Sequence, residues 1–307
     1  MSVEDNIRLI VEKVISEMSG RQSNNSGQNY GSAAPDKGNP VRVNAGGSTD
    51  NPDAVLDDIT AVDLQQLLNV PDPVNAGFYK DMKLSTPARI GAWRSGTRPL
   101  TETMLRFRAD HATAQDAVLN DVSEEFIQKM NMLKLQTACR DKDEFLTRPD
   151  LGRKLAADSR EALRQSGKKG SEVQIIVADG LSSTAVEVNA PEIIPALIQG
   201  LNSLNIRDIG APVFVKYGRV AVMDDIGEEL NPKVAVVLIG ERPGLGTSES
   251  LSAYLAYNPR HGMLESERTV FSNIHKGGTP AVEAGAHIAG IIKTVLDNKV
   301  SGVGLNS

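Results

Sequence analysis

The stretch VAVVLIGERPGLGTSES, residues 234–250, is the strongest indication of the fold class. Its first six residues, 234–239, form a continuous apolar run of the kind found in strands that are buried on both faces. The glycines that follow allow the backbone to turn sharply or to approach a ligand closely. We predict that Ser248 caps a helix after this loop, whose free N–H groups would suit a phosphate or a ligand carbonyl. The stretch therefore predicts a strand followed by a helix, as in an α/β protein.

Neighbouring segments extend this pattern in both directions. EVQIIVA (172–178) is followed by Asp-Gly, as a buried strand often is. VFVKYGRVAV (213–222) is predicted to be a strand together with the turn that follows it. Residues 191–204 and 281–296 are predicted to be helices. Alternating strands and helices require crossover connections, so we predict a mostly parallel sheet with helices on its faces from about residue 151 to 307.

Residues 53–150 are predicted to form a mainly helical domain. Ser85-Thr86-Pro87 has the composition of a helix start, with a capping hydroxyl before a proline. Further on, one apolar stripe recurs at helical spacing, with His111 at its centre. Its other members are Met104, Phe107, Ala114 and Val118. We interpret His111 as a core or interface histidine and not as a catalyst.

The first 52 residues differ in composition from the rest. Apolar residues between Val3 and Met18 gather on one helical face, which predicts an amphipathic helix over residues 1–19. Residues 20–52 are rich in Gly, Ser and Asn and are predicted to be a flexible, disordered linker. The helix could fold back onto the body of the protein, or it could dock onto another protein.

The overall composition excludes several classes of protein. A net charge of −6 and an aromatic content of 4% argue against nucleic-acid binding. No apolar run of about 18 residues is present, so we expect no membrane span, and we expect no secretion signal. The single cysteine, Cys139, cannot form an internal disulfide, which fits a reducing compartment.

Ligands of open parallel sheets bind outside the carboxyl ends of the strands. Three segments follow predicted strands here: Asp179–Ser183, Tyr217–Val220 and Gly240–Ser250. In the third, Glu241 stands at the strand end, where its carboxylate could accept hydrogen bonds from ligand amides or hydroxyls. The segment has neither the G-x-G-x-x-G spacing nor a Walker A lysine. A tight strand-to-helix turn is the alternative interpretation.

Familiar catalytic motifs are missing from the sequence. There is no G-x-S-x-G elbow and no H-E-x-x-H. His261, His275 and His287 lack metal-ligand spacing relative to one another. The sequence therefore predicts a ligand site with no catalytic residue and no metal ligand in this chain.

Several long stretches carry a resemblance to a known family. They include STPARIGAWRSGTRPLTETMLRFRADHATAQDAV (85–118), IIVADGLSSTAVEVN (175–189), VFVKYGRVAVMDDIGE (213–228), GERPGLGTSESL (240–251) and ERTVFSNIHKGGTP (267–280). Together with neighbouring stretches, they make most of residues 80–304 resemble the small subunit, or light chain, of ethanolamine ammonia-lyase. The first 80 residues contribute little to it.

The resemblance implies a function shared between two subunits. That enzyme converts ethanolamine to acetaldehyde and ammonia by radical chemistry that adenosylcobalamin initiates. Its large subunit, a barrel, holds the substrate, and its small subunit, with a Rossmann-like core, covers the cobalamin at the interface. The resemblance also implies the bacterial cytoplasm, within a microcompartment to whose shell or cargo proteins residues 1–19 would bind.

Cobalamin contacts of the family correspond to Val220, Glu241 and Val270. Many members have Cys where Val270 stands, so a contact there would use the backbone or dispersion. The sequence has no D-x-H-x-x-G motif, so no histidine is expected to bind cobalt. Two alternatives remain open: a self-sufficient nucleotide-binding α/β enzyme, and a structural adaptor that uses the N-terminal helix and linker.

Overall fold

The computed structural model describes residues 58–306. These residues form two compact units, one that ends at Ala109 and one that begins at Asp110. The predicted helix over residues 1–19 and the predicted linker over 20–52 lie outside the described residues. No helix within 58–306 is long and apolar enough to cross a membrane.

The first unit contains short elements. They are a 3-10 turn at Ile59–Ala61, helix α1 at Ala76–Leu84, strands β1 at Arg94–Ser95 and β2 at Arg98–Pro99, and the start of helix α2 at Thr101–Leu119. The two strands form an antiparallel hairpin. The Arg106 guanidinium donates to the carbonyls of Ile59, at 2.9 Å, and Val62, at 2.6 Å. This side chain therefore ties helix α2 to the start of the unit.

The predicted helix start at Ser85-Thr86-Pro87 is wrong. Helix α1 ends at Leu84, and Ser85 is its C-terminal cap, with the backbone N–H of Ser85 donating to the Asp81 carbonyl. A residue that precedes proline disfavours the helical region, so Thr86 before Pro87 stops a helix here. Gly91, at φ 71°, then turns the chain toward the hairpin.

The apolar stripe of α2 is largely exposed. Met104, Phe107 and His111 all lie at the surface, and Ala117 is the one buried residue of this helix. His111 is therefore not part of the core that residues 58–306 form. That it belongs to an interface stays a prediction.

The second unit alternates helices with strands. In chain order these are α3 (Glu124–Lys129), β3 (Leu133–Gln136), α4 (Lys142–Thr147), α5 (Ala157–Ser166), β4 (Val173–Ala178), α6 (Ser183–Ser203), β5 (Ile209–Lys216), α7 (Val222–Leu230), β6 (Val234–Gly240), β7 (Leu251–Tyr257), β8 (Thr269–Ile274) and α8 (Ala281–Asn298). Short 3-10 turns occur at Leu151–Arg153, Glu265–Glu267 and Gly302–Asn306.

One six-stranded sheet organises this unit, with the strand order β3-β5-β4-β6-β7-β8. The first four strands are parallel, and β7 and β8 are antiparallel additions at one side. The prediction of an α/β fold with a largely parallel sheet is confirmed. The predicted helix after Ser248 is wrong, because β7 returns antiparallel and pairs Leu251 with Gly240. The glycine-rich segment is thus a hairpin connection.

Helices cover both faces of the sheet. Helices α6 and α8 pack on one face with buried side chains such as Ile175, Val177 and Val236. Helices α5 and α7 pack on the other, against Ile176, Val215 and others. The helix predicted at 191–204 begins earlier, at Ser183, because the Ser182 side chain accepts from the N–H of Ala185 and caps it.

Strand β3 extends the sheet-containing part of the chain toward the N-terminus. It pairs with β5 from Leu133 to Gln136. Residues from Asp110 onward accordingly group with the sheet. The division into domains at 53–150 and 151–307 stays a proposal.

Candidate ligand-binding site

The carboxyl ends of β4, β5 and β6 meet at one edge of the sheet. There the Asp179 carboxylate accepts from the backbone N–H of Tyr217, at 2.8 Å, and of Gly218, at 3.0 Å. The N–H of Leu181 donates to the Gly240 carbonyl at 3.0 Å. The structure therefore brings together all three segments that the sequence proposed as ligand-binding.

Asp179 is a buried carboxyl that shapes the turn after β5. Burial raises its pKa to about 6, although the two backbone N–H groups act in the opposite direction. Those N–H groups belong to a turn in which Tyr217 has the left-handed φ of 59°. Because this turn leads to Val220, Asp179 positions the predicted contact residue.

Asp179→Asn is expected to remove a pH-dependent part of the free energy of unfolding. The folded pKa of about 6 exceeds the ordinary 3.8. The stabilisation from this group is therefore fully present below about pH 4 and is lost as the pH rises through 6, by roughly 3 kcal/mol at most. The free energy of unfolding of the wild type minus that of the variant should fall between pH 4.5 and 7.5.

Urea unfolding of the full chain at several pH values measures this difference. The exposed Asp116→Asn on α2 serves as the matched control and should leave the pH dependence unchanged. A difference for Asp179→Asn that stays constant or rises with pH would contradict the assignment.

Two glycines allow the chain to cross itself at this edge. A Cβ on Gly240 would lie 2.1 Å from the Ser182 carbonyl oxygen, and one on Gly180 would lie 2.3 Å from the Gly240 carbonyl oxygen. Both distances are impossible for real Cβ atoms, and Gly180 has a φ of 56° as well. Glycine at both positions therefore permits the start of α6 to lie against the end of β6.

The loop from Glu241 to Ser250 is anchored at its second half and open at its tip. Ser182 Oγ donates to the Ser248 carbonyl at 2.6 Å, and Asn189 Nδ2 donates to the Glu249 carbonyl at 2.8 Å. A Cβ on Gly244 or Gly246 would meet nothing within 4 Å. Packing within this part of the chain does not require these glycines, so their backbone stays open to approach.

A cleft of about 250 Å³ lies beside this tip. It is lined by Asp110, Thr113 and residues 244–249, and polar surface predominates. The cleft thus lies at the part of the loop that follows Glu241.

Glu241 ties the last three strands together at the same edge. Its Oε2 accepts from Ser250 Oγ at 2.8 Å, and its Oε1 accepts from Ser252 Oγ. The backbone N–H of Asn273, in β8, also points at Oε1 from 3.5 Å. The carboxylate is thus held at a defined position, half-buried, at the end of β6.

Val220 and Val270 belong to the sheet face that α5 and α7 cover only in part. Val270 stands opposite Tyr254 in the β7–β8 pairing, and cross-strand partners share a face. Tyr254 and Val220 both pack against the core cluster of that face. Val270 itself is 48% exposed. Burial, and then the negative charge of Glu241, raises the pKa of the Tyr254 phenol, which links this face to the carboxylate.

The sequence names Val220, Glu241 and Val270 as candidates, but three neighbouring residues of this edge escape it. Ser250, Ser252 and Tyr254 were not singled out. The alternation of LSAYLAY could have revealed that Ser252 and Tyr254 share a face, since successive strand residues point to opposite sides.

The histidines interact with neighbouring side chains. His261 Nε2 lies 2.9 Å from Asp225 Oδ1, and His275 Nε2 lies 2.8 Å from Asn273 Oδ1. His287 packs its ring 4.8 Å from that of Phe271, and burial lowers its pKa. Over residues 58–306, no three His, Cys, Asp or Glu side chains cluster in a way that could hold a metal ion.

Comparisons with known proteins identify the family. The family model described as ethanolamine ammonia-lyase light chain (EutC) matches residues 76–306. The chain is 52% identical to the ethanolamine ammonia-lyase small subunit of Clostridium tetani over 305 residues, which cover 99% of each chain. It is 50% identical to that of Clostridioides difficile over 302 residues, 98% of this chain and 99% of the relative. The same coverage holds for the Listeria monocytogenes protein at 47% identity. The chain belongs to the ethanolamine ammonia-lyase small-subunit family and is a lyase subunit.

Proposed function

We propose that this chain is the small subunit of an adenosylcobalamin-dependent ethanolamine ammonia-lyase. The assembled enzyme deaminates ethanolamine to acetaldehyde and ammonia. The relatives' name, small subunit, implies a large-subunit partner. In this proposal the large subunit holds the substrate, and this chain covers the cobalamin at the interface.

The open sheet edge around Glu241 is the observation that carries the proposal. A corrin ring is broad, apolar on its faces and edged with amides. The fixed carboxylate of Glu241 suits an amide N–H, and the exposed Val270 beside Tyr254 offers apolar surface. The open backbone at Gly244 and Gly246 permits close approach. The residues present therefore fit the cofactor.

When bound, adenosylcobalamin supplies the radical chemistry by homolysis of its cobalt–carbon bond. The task left to this chain is to bind, to orient and to exclude water. Glu241 would hold one amide of the ring edge, and Val220 and Val270 would contact the ring by dispersion. This division of labour agrees with a sequence that offers no recognisable catalytic motif.

Exposed apolar side chains on the first unit support assembly with a partner. Trp93 is 42% exposed and Phe107 is 46% exposed, and Met104 and Leu105 of α2 are exposed as well. Large exposed apolar side chains, aromatic ones above all, are typical of protein interfaces. We propose that the face of α2 that carries Met104 and Phe107 contacts the large subunit.

Co-purification with a large subunit tests the proposed function. The two subunits are co-expressed, purified together and assayed for bound cobalamin, with the large subunit alone as the control. The complex is expected to retain cobalamin through purification and the control to lose it. Equal retention by the large subunit alone would contradict a role in cofactor binding.

The two alternative functions have less support. A nucleotide-binding enzyme would place phosphates at a helix N-terminus, whereas the glycine-rich loop leads into strand β7. A structural adaptor would leave cobalamin retention unchanged when this chain is omitted. The co-purification experiment therefore separates the adaptor from the proposed function.

We further propose that the protein works in the bacterial cytoplasm, within a microcompartment, and that residues 1–19 bind shell or cargo proteins. Deleting residues 1–52 is expected to leave turnover within about twofold of the wild type, because the proposed cofactor contacts lie beyond residue 200. Fluorescence microscopy of tagged full-length and truncated proteins should show altered localisation. Loss of turnover in an intact truncated complex would contradict this role.

A further inference from the structure

The side chain of Glu241 is held from two directions by serines of the following strand. Ser250 Oγ donates to Oε2 at 2.8 Å, and Ser252 Oγ donates to Oε1. A serine hydroxyl has a single proton, so each of these two hydroxyls is committed to the carboxylate. Ser252 is buried and Ser250 is half-buried, which protects both hydrogen bonds from competing water.

These hydroxyl groups are not needed to hold the strands in register. The backbone already does so, because the N–H of Glu241 donates to the Ser250 carbonyl at 2.9 Å and Gly240 pairs with Leu251. The hydroxyl hydrogen bonds instead restrict the rotation of the Glu241 side chain. A free glutamate side chain loses rotamer entropy when it becomes fixed, and pre-organisation avoids that cost on binding.

The arrangement also restricts what the carboxylate can recognise. An ionised carboxylate only accepts hydrogen bonds, at about four positions. Two serine hydroxyls and the more distant Asn273 N–H take up part of this capacity. The remaining positions suit a neutral N–H donor, whereas a phosphate would be repelled by its like charge.

We propose that Ser250 and Ser252 are positioning residues that hold the Glu241 carboxylate ready for an amide N–H donor of the bound cofactor. This inference rests on the proposed function. It implies that the loop between β6 and β7 recognises the amide edge of the ring and does not recognise the nucleotide phosphate.

The donor class is tested with cobalamin derivatives in which one peripheral amide is hydrolysed to a carboxylate. The assembled wild-type enzyme is expected to bind at least one of them more than about tenfold less tightly than cobalamin. Glu241→Gln should reduce this discrimination to about threefold or less. Equal binding of every derivative by the wild type would overturn the amide contact.

A double-mutant cycle on the assembled enzyme tests the positioning role. Cobalamin dissociation constants are measured for Glu241→Ala, for the double variant Ser250→Ala/Ser252→Ala, and for all three changes together. The serine changes should weaken binding about five- to tenfold when Glu241 is present and less than about twofold when it is absent. Turnover at saturating cofactor should stay near that of the wild type, and threonine at both positions should restore binding.

The outcomes separate the inference from the proposed function. Suppose that Glu241→Ala weakens cobalamin binding but the serine changes raise the dissociation constant by the same factor with and without the Glu241 side chain. The positioning role is then overturned and the cofactor site stands. If Glu241→Ala leaves cobalamin affinity unchanged in an intact complex, the site at this edge and the positioning role are both overturned.

Discussion

Ethanolamine turnover is expected to be absent when this chain is assayed alone with adenosylcobalamin, and to appear when a large subunit is added. The physical reason is that the sheet edge offers a fixed carboxylate and apolar surface, while the sequence has no recognisable catalytic motif. Ammonia release from ethanolamine is the measurement. We expect the effect to be all-or-none, because in the proposed function neither subunit alone surrounds the cofactor.

The reconstituted enzyme is the positive control for this assay, and the large subunit alone is the second control. Ammonia release by the purified chain without any partner would contradict the division of labour. It would favour a self-sufficient enzyme.

Glu241→Ala is expected to weaken cobalamin binding to the assembled enzyme by about one to two powers of ten. A hydrogen bond to a charged group contributes about 1.5–3 kcal/mol, which corresponds to that range of affinity. Saturating cofactor should restore most of the turnover rate, because the role proposed for Glu241 is to bind the cofactor and not to transfer a proton. Cofactor titration of turnover measures the affinity and the rate in one experiment.

Glu172→Ala is the matched control for this substitution. Glu172 lies just before β4, at the opposite end of the sheet from Glu241, where it pairs with Lys233 at the surface. Its replacement should leave cobalamin affinity unchanged. Unchanged affinity together with collapsed turnover in Glu241→Ala would contradict a binding role and would indicate participation in chemistry.

The buried strands of this fold could be predicted because their composition matches their burial. β4 and β6 are fully buried. In the sequence, residues 234–239 of β6 are an uninterrupted apolar run, and β4 is apolar except for Gln174. β7 and β8 could not be predicted with the same ease. They contain Ser, Asn and Tyr, and the glycine-rich loop before β7 resembles the start of a helix as much as a hairpin.

The helix α2 shows a different limit of sequence reasoning. Its apolar stripe has the same period whether it packs in a core or against another protein. The sequence therefore could not tell that Met104 and Phe107 are exposed in this chain. Whether the stripe is buried or exposed depends on which other elements pack against the helix.

The position of Glu241 at the sheet edge could be predicted from the sequence. Glu241 follows the most apolar strand, and strand ends are where α/β sheets bind ligands. Ser250 ends the loop and Ser252 lies in β7, and nothing in the sequence shows that both hydroxyls converge on one carboxylate. The assignment of Val220, Glu241 and Val270 as cobalamin contacts stays a prediction.

Hydrogen–deuterium exchange of the assembled enzyme, with and without cobalamin, tests the location of the cofactor most directly. Peptides that cover residues 241–252 and 268–275 are expected to exchange more slowly when cobalamin is bound, because they form the proposed contact edge. Helix α8 covers the opposite face of the sheet and should be unaffected. Protection confined to α8, or no protection in either of the two edge segments, would contradict the account.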